Sequence, residues 1–197
     1  MDSRLSLPAT EFVGSVSTEG GPIIVGDADL LVTWHGALGP GDDYGRLVER
    51  IPDDPRPNGI AVELGGASAF AWTIPTGSVE VWRQAGRVTL QFAWYPSSTP
   101  TLTQRLGLLN RPGTQSQWLG RVEIRTGWMG IIWAAEDVAE MRPWAHVDGE
   151  ISSGATSDSG VILKLNAGVY SASQDEVVEK EGASAYRCSL IREGQAG

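Results

Sequence analysis

Apolar side chains in this chain recur at every second residue over many short stretches, and that spacing commits most of it to strands. The clearest run is Arg87 to Tyr95, where Val88, Leu90, Phe92 and Trp94 alternate with Thr89, Gln91 and Ala93. Successive strand residues point to opposite sides, so such a run gives a sheet one apolar face and one more polar face. Val79 to Arg83 reads as its partner, and Gln84-Ala85-Gly86 is short and glycine-bearing, as a β-hairpin connection requires. Further strands are expected over 11–17, 22–25, 59–64, 68–74, 117–125, 128–133, 161–166, 168–174 and 184–192. In the last of these Tyr186, Cys188 and Leu190 share a face, which makes the single cysteine a small core residue. The 25 Gly and 11 Pro supply the turns that many short strands need. The expected fold is mainly β, a β-rich α+β arrangement of antiparallel sheets with two or three short helices.

Helical signals are few. Asp27 is placed to cap a helix through Leu30, Leu31 and Trp34, with Gly36 ending it. Tyr44, Leu47, Val48 and Ile51 follow the i, i+3, i+4, i+7 spacing of a second helix, which Pro52 stops. Thr99-Pro100 reads as an N-cap and first helical residue ahead of Leu102, Leu106 and Leu109. The polar stretch 96–117 shows no strand alternation and reads as a connection between two β-rich halves of similar size, 1–95 and 118–197. One continuous domain is the alternative.

Charge divides along the same chain. Residues 1–80 carry a net −8, residues 81–122 carry five arginines and no acid, and residues 123–197 carry −6. Either the arginines pair with acids from other strands, or the surface is dipolar with an acidic face for a basic partner. The overall −9 argues against a nucleic-acid partner, since neutralising phosphates takes clustered Lys and Arg. No apolar run approaches the roughly 18 residues of a membrane span, and the opening Met1 to Phe12 lacks the apolar core of a signal peptide. A soluble cytoplasmic protein is expected.

The chemistry of an enzyme is not apparent in the motifs. His35 and His146 are far apart, one cysteine cannot build a thiolate cluster, and there is no P-loop, nucleophile elbow or H-E-x-x-H run. Pro22 removes a backbone donor from the glycine-rich Glu19-Gly20-Gly21 stretch, where a phosphate cradle would need one. The carboxylate pairs Asp42-Asp43 and Asp53-Asp54 stand among Gly and Pro, as solvated loops do. No catalytic residue, metal ligand or cofactor is assigned.

Several segments, in order, resemble one family. Ser17 to Val25 contains Gly20-Gly21-Pro22, and then come Leu30-Leu31-x-x-Trp34-x-Gly36, Asp43-Tyr44, a strand opening at Gly59-Ile60, Ser68 to Trp72, and Phe92 to Tyr95. In the second half, Val122 to Trp133 and Val161 to Tyr170 continue the series. This order is similar to the immunity protein twenty-one family of bacterial polymorphic-toxin systems. The chain departs from that pattern at Thr18-Glu19, at Trp133 to Glu136, and at the glycine after Tyr44. The resemblance implies an antitoxin that binds a cognate protein toxin one to one. An acidic protein can occlude the basic cleft of such a toxin, for example a nuclease, with steered association. The residues chosen for that contact are Asp42, Asp43, Asp53 and Asp54, with Trp34 or Trp144 as aromatic anchor. The residues alone also allow a non-catalytic structural or accessory module, phage or actinobacterial, that uses a β-face for assembly.

Overall fold

The structure is a computed structural model that describes residues 10–54, 56–84, 86–114, 116–138, 154–157, 160–179 and 182–194. In chain order it runs β1 (Glu11–Thr18), β2 (Ile23–Asp27), α1 (Ala28–Leu31), α2 (Asp43–Val48), β3 (Gly59–Leu64), β4 (Ala67–Trp72), β5 (Gly77–Gln84) and β6 (Arg87–Trp94). There follow α3 (Leu102–Asn110), β7 (Gln117–Ile124), β8 (Trp128–Trp133), β9 (Gly154–Ser157), β10 (Gly160–Lys164), β11 (Gly168–Val178) and β12 (Ser184–Arg192). The protein is mainly β, as the alternation predicts. Sheet A has the order β1-β5-β6-β12-β11-β7 and sheet B the order β3-β4-β2-β8-β10-β9, with antiparallel neighbours throughout. The β5–β6 hairpin closes as expected, with Gln84 opposite Arg87 and Gly86 at a φ of +73° that favours glycine.

Two features correct the sequence reading of organisation. Residues 1–95 and 118–197 do not build separate sheets. β6 pairs with β12 at the centre of sheet A, and β2 pairs with β8 at the centre of sheet B. The stretch 96–117 is accordingly no linker between domains: its helix lies on the outer face of sheet A, where Leu108 packs with Val177, Ala183 and Ala185.

The main core lies between the sheets. Val88, Leu90 and Phe92 of β6 face Val25, Phe70 and Ile131 of sheet B within one buried cluster, which also takes in Cys188. Burial pushes the Cys188 thiol well above its usual range. The inner strands of sheet B, β4, β2, β8 and β10, are largely buried on both faces, and this explains their apolar runs. In β2, Ile23 and Val25 point into the sandwich, while Ile24 points the other way. There it meets Leu31, Trp34 and Leu47 of a helical layer that covers sheet B from outside.

The helices keep their expected places but not all of their limits. Asp27 caps α1, accepting the Asp29 amide at 3.0 Å, but the helix stops at Leu31 and continues only as turns to Trp34. α3 is capped by Thr101, not Thr99. Thr101 has Gln104 three residues on, and the two close a reciprocal capping box that Thr99 has no partner to form. Pro100 therefore stands just outside the helix.

Candidate functional site

The helical layer over sheet B is acidic. Between Asp29 and Asp54 the chain carries six carboxylates and two arginines. The first part of this layer is fastened to sheet B at several points. Asp27 is 2% exposed, and its carboxylate also receives the amides of Arg125 (2.6 Å) and Thr126 (2.8 Å) from the β7–β8 turn. Farther along, the Trp34 indole N–H donates to the Ala134 carbonyl at 2.8 Å, and the Ala37 amide to the Ala135 carbonyl at 3.0 Å. Gly36 makes that second approach possible. Its φ is +61°, and a Cβ there would lie 2.4 Å from the Ala135 oxygen.

The four chosen carboxylates fall into two pairs, one at the N-terminus of α2 and one in the loop five residues past its last turn. Asp42 is exposed and caps the helix, accepting the Gly45 amide at 2.9 Å from a left-handed backbone with φ of 48°. Its neighbour Asp43 turns inward to accept the His35 amide at 3.0 Å and pairs with Arg46. Beyond the helix, Asp53 is exposed, while Asp54 forms a two-pronged pair with Arg56 at 2.8 and 3.1 Å. Arg56 holds the Asp54 carboxyl down to about 2. Asp42 and Asp53 thus present charge outward, whereas Asp43 and Asp54 spend part of theirs on nearby arginines.

Trp34 is corrected by the structure. It is 6% exposed and packed against sheet B with its N–H satisfied, so it offers a partner no surface. The sequence could not separate these roles, because a tryptophan suits a half-buried sheet contact and an interface equally well. Trp144 lies outside the described residues. The apolar side chain that this lobe does expose is Leu38, 98% accessible in the turn between His35 and Asp42, with Val32 and Val48 each about two-fifths exposed on the same lobe. Sequence reasoning passed over Leu38 because it belongs to no periodic pattern. Its signal was its setting, a lone leucine in Gly36-Ala-Leu-Gly-Pro-Gly41.

A second polar assembly, on the outer face of sheet A under α3, also escaped the sequence reading. Glu80 pairs with Arg105 at 2.6 Å, and Arg105 lies over Phe12 at 4.4 Å. Gln91, fully buried, donates to Glu80, Tyr95 and the Arg105 carbonyl, each at 3.3 Å, while its own Oε1 has no partner. Burial and the adjacent Glu80 push the Tyr95 hydroxyl up to about 12. Four of the five arginines in 81–122 are absorbed in such pairs: Arg83 with Glu11, Arg105 with Glu80, Arg111 with Glu179 and Arg121 with Glu193. Of the two explanations for the basic run, pairing across strands accounts for most of it.

The Thr126 hydroxyl donates to the Asp27 carboxylate at 3.1 Å, but that carboxylate is already committed to the amides of Asp29, Arg125 and Thr126. His35 is held by its own backbone amide, and its Nδ1 stands 3.7 Å from Asp137, an ionic contact only when the ring is protonated. Three or more His, Cys, Asp or Glu side chains do not converge as a metal cluster among the described residues. Likewise, no helix among them is long and apolar enough to cross a membrane. What the lobe can do chemically is present outward negative charge at Asp42 and Asp53 on the same layer as the exposed Leu38. Comparison with known proteins adds no relative: no family model matches the chain, and neither a curated protein nor a solved structure is significantly similar to it.

Proposed function

We propose that the protein is a stoichiometric inhibitor of a basic protein partner, an antitoxin of the immunity-protein kind, and that it meets that partner with the α1–α2 lobe. The observation that carries this reading is Leu38, exposed on an acidic lobe that is bolted to sheet B by Asp27, Trp34 and Ala37. A pre-organised acidic surface costs little ordering on binding, and an aliphatic anchor within it supplies the desolvated contact that charge alone does not. The carboxylates set the approach. Exposed charges steer encounter and are screened within about 8–10 Å at physiological salt.

The test starts from co-purification of the full chain with the product of the adjacent gene, followed by stopped-flow association at several ionic strengths. Replacing Asp42, Asp43, Asp53 and Asp54 together with Asn is expected to slow association and flatten its salt dependence, since Asn at 42 still caps α2 and tolerates the left-handed backbone. Leu38→Ser is expected to accelerate dissociation by roughly tenfold or more, with little change in association rate. Association as fast as the parent at low salt in the fourfold variant removes the acidic-lobe model.

A further inference from the structure

Beside the C-terminal end of α3, the outer face of sheet A carries a row of hydroxyls. Thr89 of β6 stands opposite Ser189 of β12, and Ser189 opposite Ser173 of β11. Indoles flank the row, with Trp82 opposite Thr89 and Trp118 opposite Ser173. At about 4.8 Å between strands, the three hydroxyls span about 10 Å. They line a recess of about 150 Å³ that Arg87, Asp175 and Arg187 also border.

Several observations point to a ligand. Thr89 is 3% exposed, and neither its hydroxyl nor those of Ser173 and Ser189 has a hydrogen-bond partner among the described residues. The Thr89 hydroxyl opens on the recess rather than on the core. Arg87 is the one arginine of the 81–122 run with no acidic partner among the described residues. Trp118 is 65% exposed on the edge strand beside the recess.

The chemistry of the lining narrows the ligand. Arg187 is neutralised by Asp175 and its guanidinium is further held by the carbonyls of Leu108, Leu109 and Arg111, so it forms a rigid wall and not a free cation. A simple oxyanion would face the Asp175 carboxylate, and an apolar ligand would leave three hydroxyls unpaired. Groups that both donate and accept, beside one guanidinium and a flat indole, suit a ligand whose hydroxyls do the same and whose C–H face is apolar. We propose that this recess is a saccharide site, in which Thr89, Ser189 and Arg87 bind the hydroxyls of one pyranose and Trp118 stacks on its neighbour. The inference is independent of the acidic lobe, which lies on the other sheet.

The experiment is saturation-transfer NMR on the full chain with maltotetraose, cellotetraose and tetra-N-acetylchitotetraose, each at about 10 mM, a level that reveals even millimolar affinity. At least one tetrasaccharide is expected to show transfer and to quench tryptophan fluorescence. The double variant Thr89→Val, Ser189→Ala and the single variant Trp118→Ala are each expected to weaken it at least about tenfold, with circular dichroism unchanged. Leu38→Ser is expected to bind as the parent does. No transfer from any of the three sugars, displacement of the signal by sulfate alone, or parental binding in the folded Thr89 and Ser189 double variant would each overturn the assignment.

Discussion

Trp34 and Leu38 stand four residues apart and do opposite things. The indole of Trp34 fills the space between the helical layer and sheet B, and Leu38 touches almost nothing. Trp34→Ala is expected to destabilise the fold by about 3–5 kcal/mol, the usual cost of emptying a buried aromatic site. Leu38→Ser is expected to shift stability by no more than about 0.5 kcal/mol. Chemical denaturation of the two variants checks both, and equal midpoints would contradict the burial difference. Asp54 makes a pH prediction at the same scale. Its carboxyl is lowered from an unfolded value near 4, so its contribution is present above that pH and fades as pH falls toward 2. Carbon-detected NMR titration is expected to place its midpoint near 2 in the parent and close to the ordinary carboxylate value in Arg56→Gln. The Cys188 thiol, raised by burial, is expected to react with a disulfide reagent only at the rate of unfolding.

Among the elements, the C-terminal end of α3 is tied to sheet A by one arginine of β12. Arg187, 7% exposed, binds Asp175 with two nitrogens and takes the carbonyls of Leu108, Leu109 and Arg111 with its Nη1. These include the helix-end carbonyls that no turn of α3 can satisfy. Arg187→Met leaves the partly buried Asp175 without its cation and those oxygens unpaired, so a loss of about 3 kcal/mol is expected. Hydrogen exchange should then quicken over 102–111 more than over the central strands, because the helix end loses the guanidinium that ties its carbonyls to β12. Arg187→Lys is not a rescue, since an ammonium cannot span the carboxylate and three carbonyls together. If Lys restores full protection, the anchoring account is wrong. At the other end of α3, Thr101→Ala removes the capping box and is expected to cost about 1 kcal/mol.

At the scale of the whole molecule, the interleaved sheets make folding indivisible. β6 has its partner β12 at the far end of the chain, and β2 lies between β4 and β8. Separate fragments 1–95 and 118–197 are therefore expected to show no cooperative thermal transition alone. Mixed together, they should recover sheet signal in circular dichroism, because each supplies central strands that the other lacks. A sharp transition from either fragment by itself would restore the two-half organisation.

Local information in the chain was enough to locate strands, since period two is a property of consecutive residues and does not depend on what they pack against. Even β11 was placed, though its extension through Asp175 to Val178 was hidden because those acids look like loop charge until Arg187 is set beside them. β9 was not legible: Gly154 to Ser157 has too few apolar residues to alternate, and it is a strand because β10 lies next to it. For the candidate site, sequence located the acidic loops and the cap at Asp27, whereas the cap at Asp42 became visible only with the left-handed backbone that aims its carboxylate at the Gly45 amide. Sequence could not rank tryptophans by exposure, nor see that Leu38 would be the apolar group left in solvent. The hydroxyl row on sheet A was invisible for the same reason. Thr89, Ser173 and Ser189 are spread over a hundred residues, and only strand register, which is set by long-range pairing and burial, brings them into line.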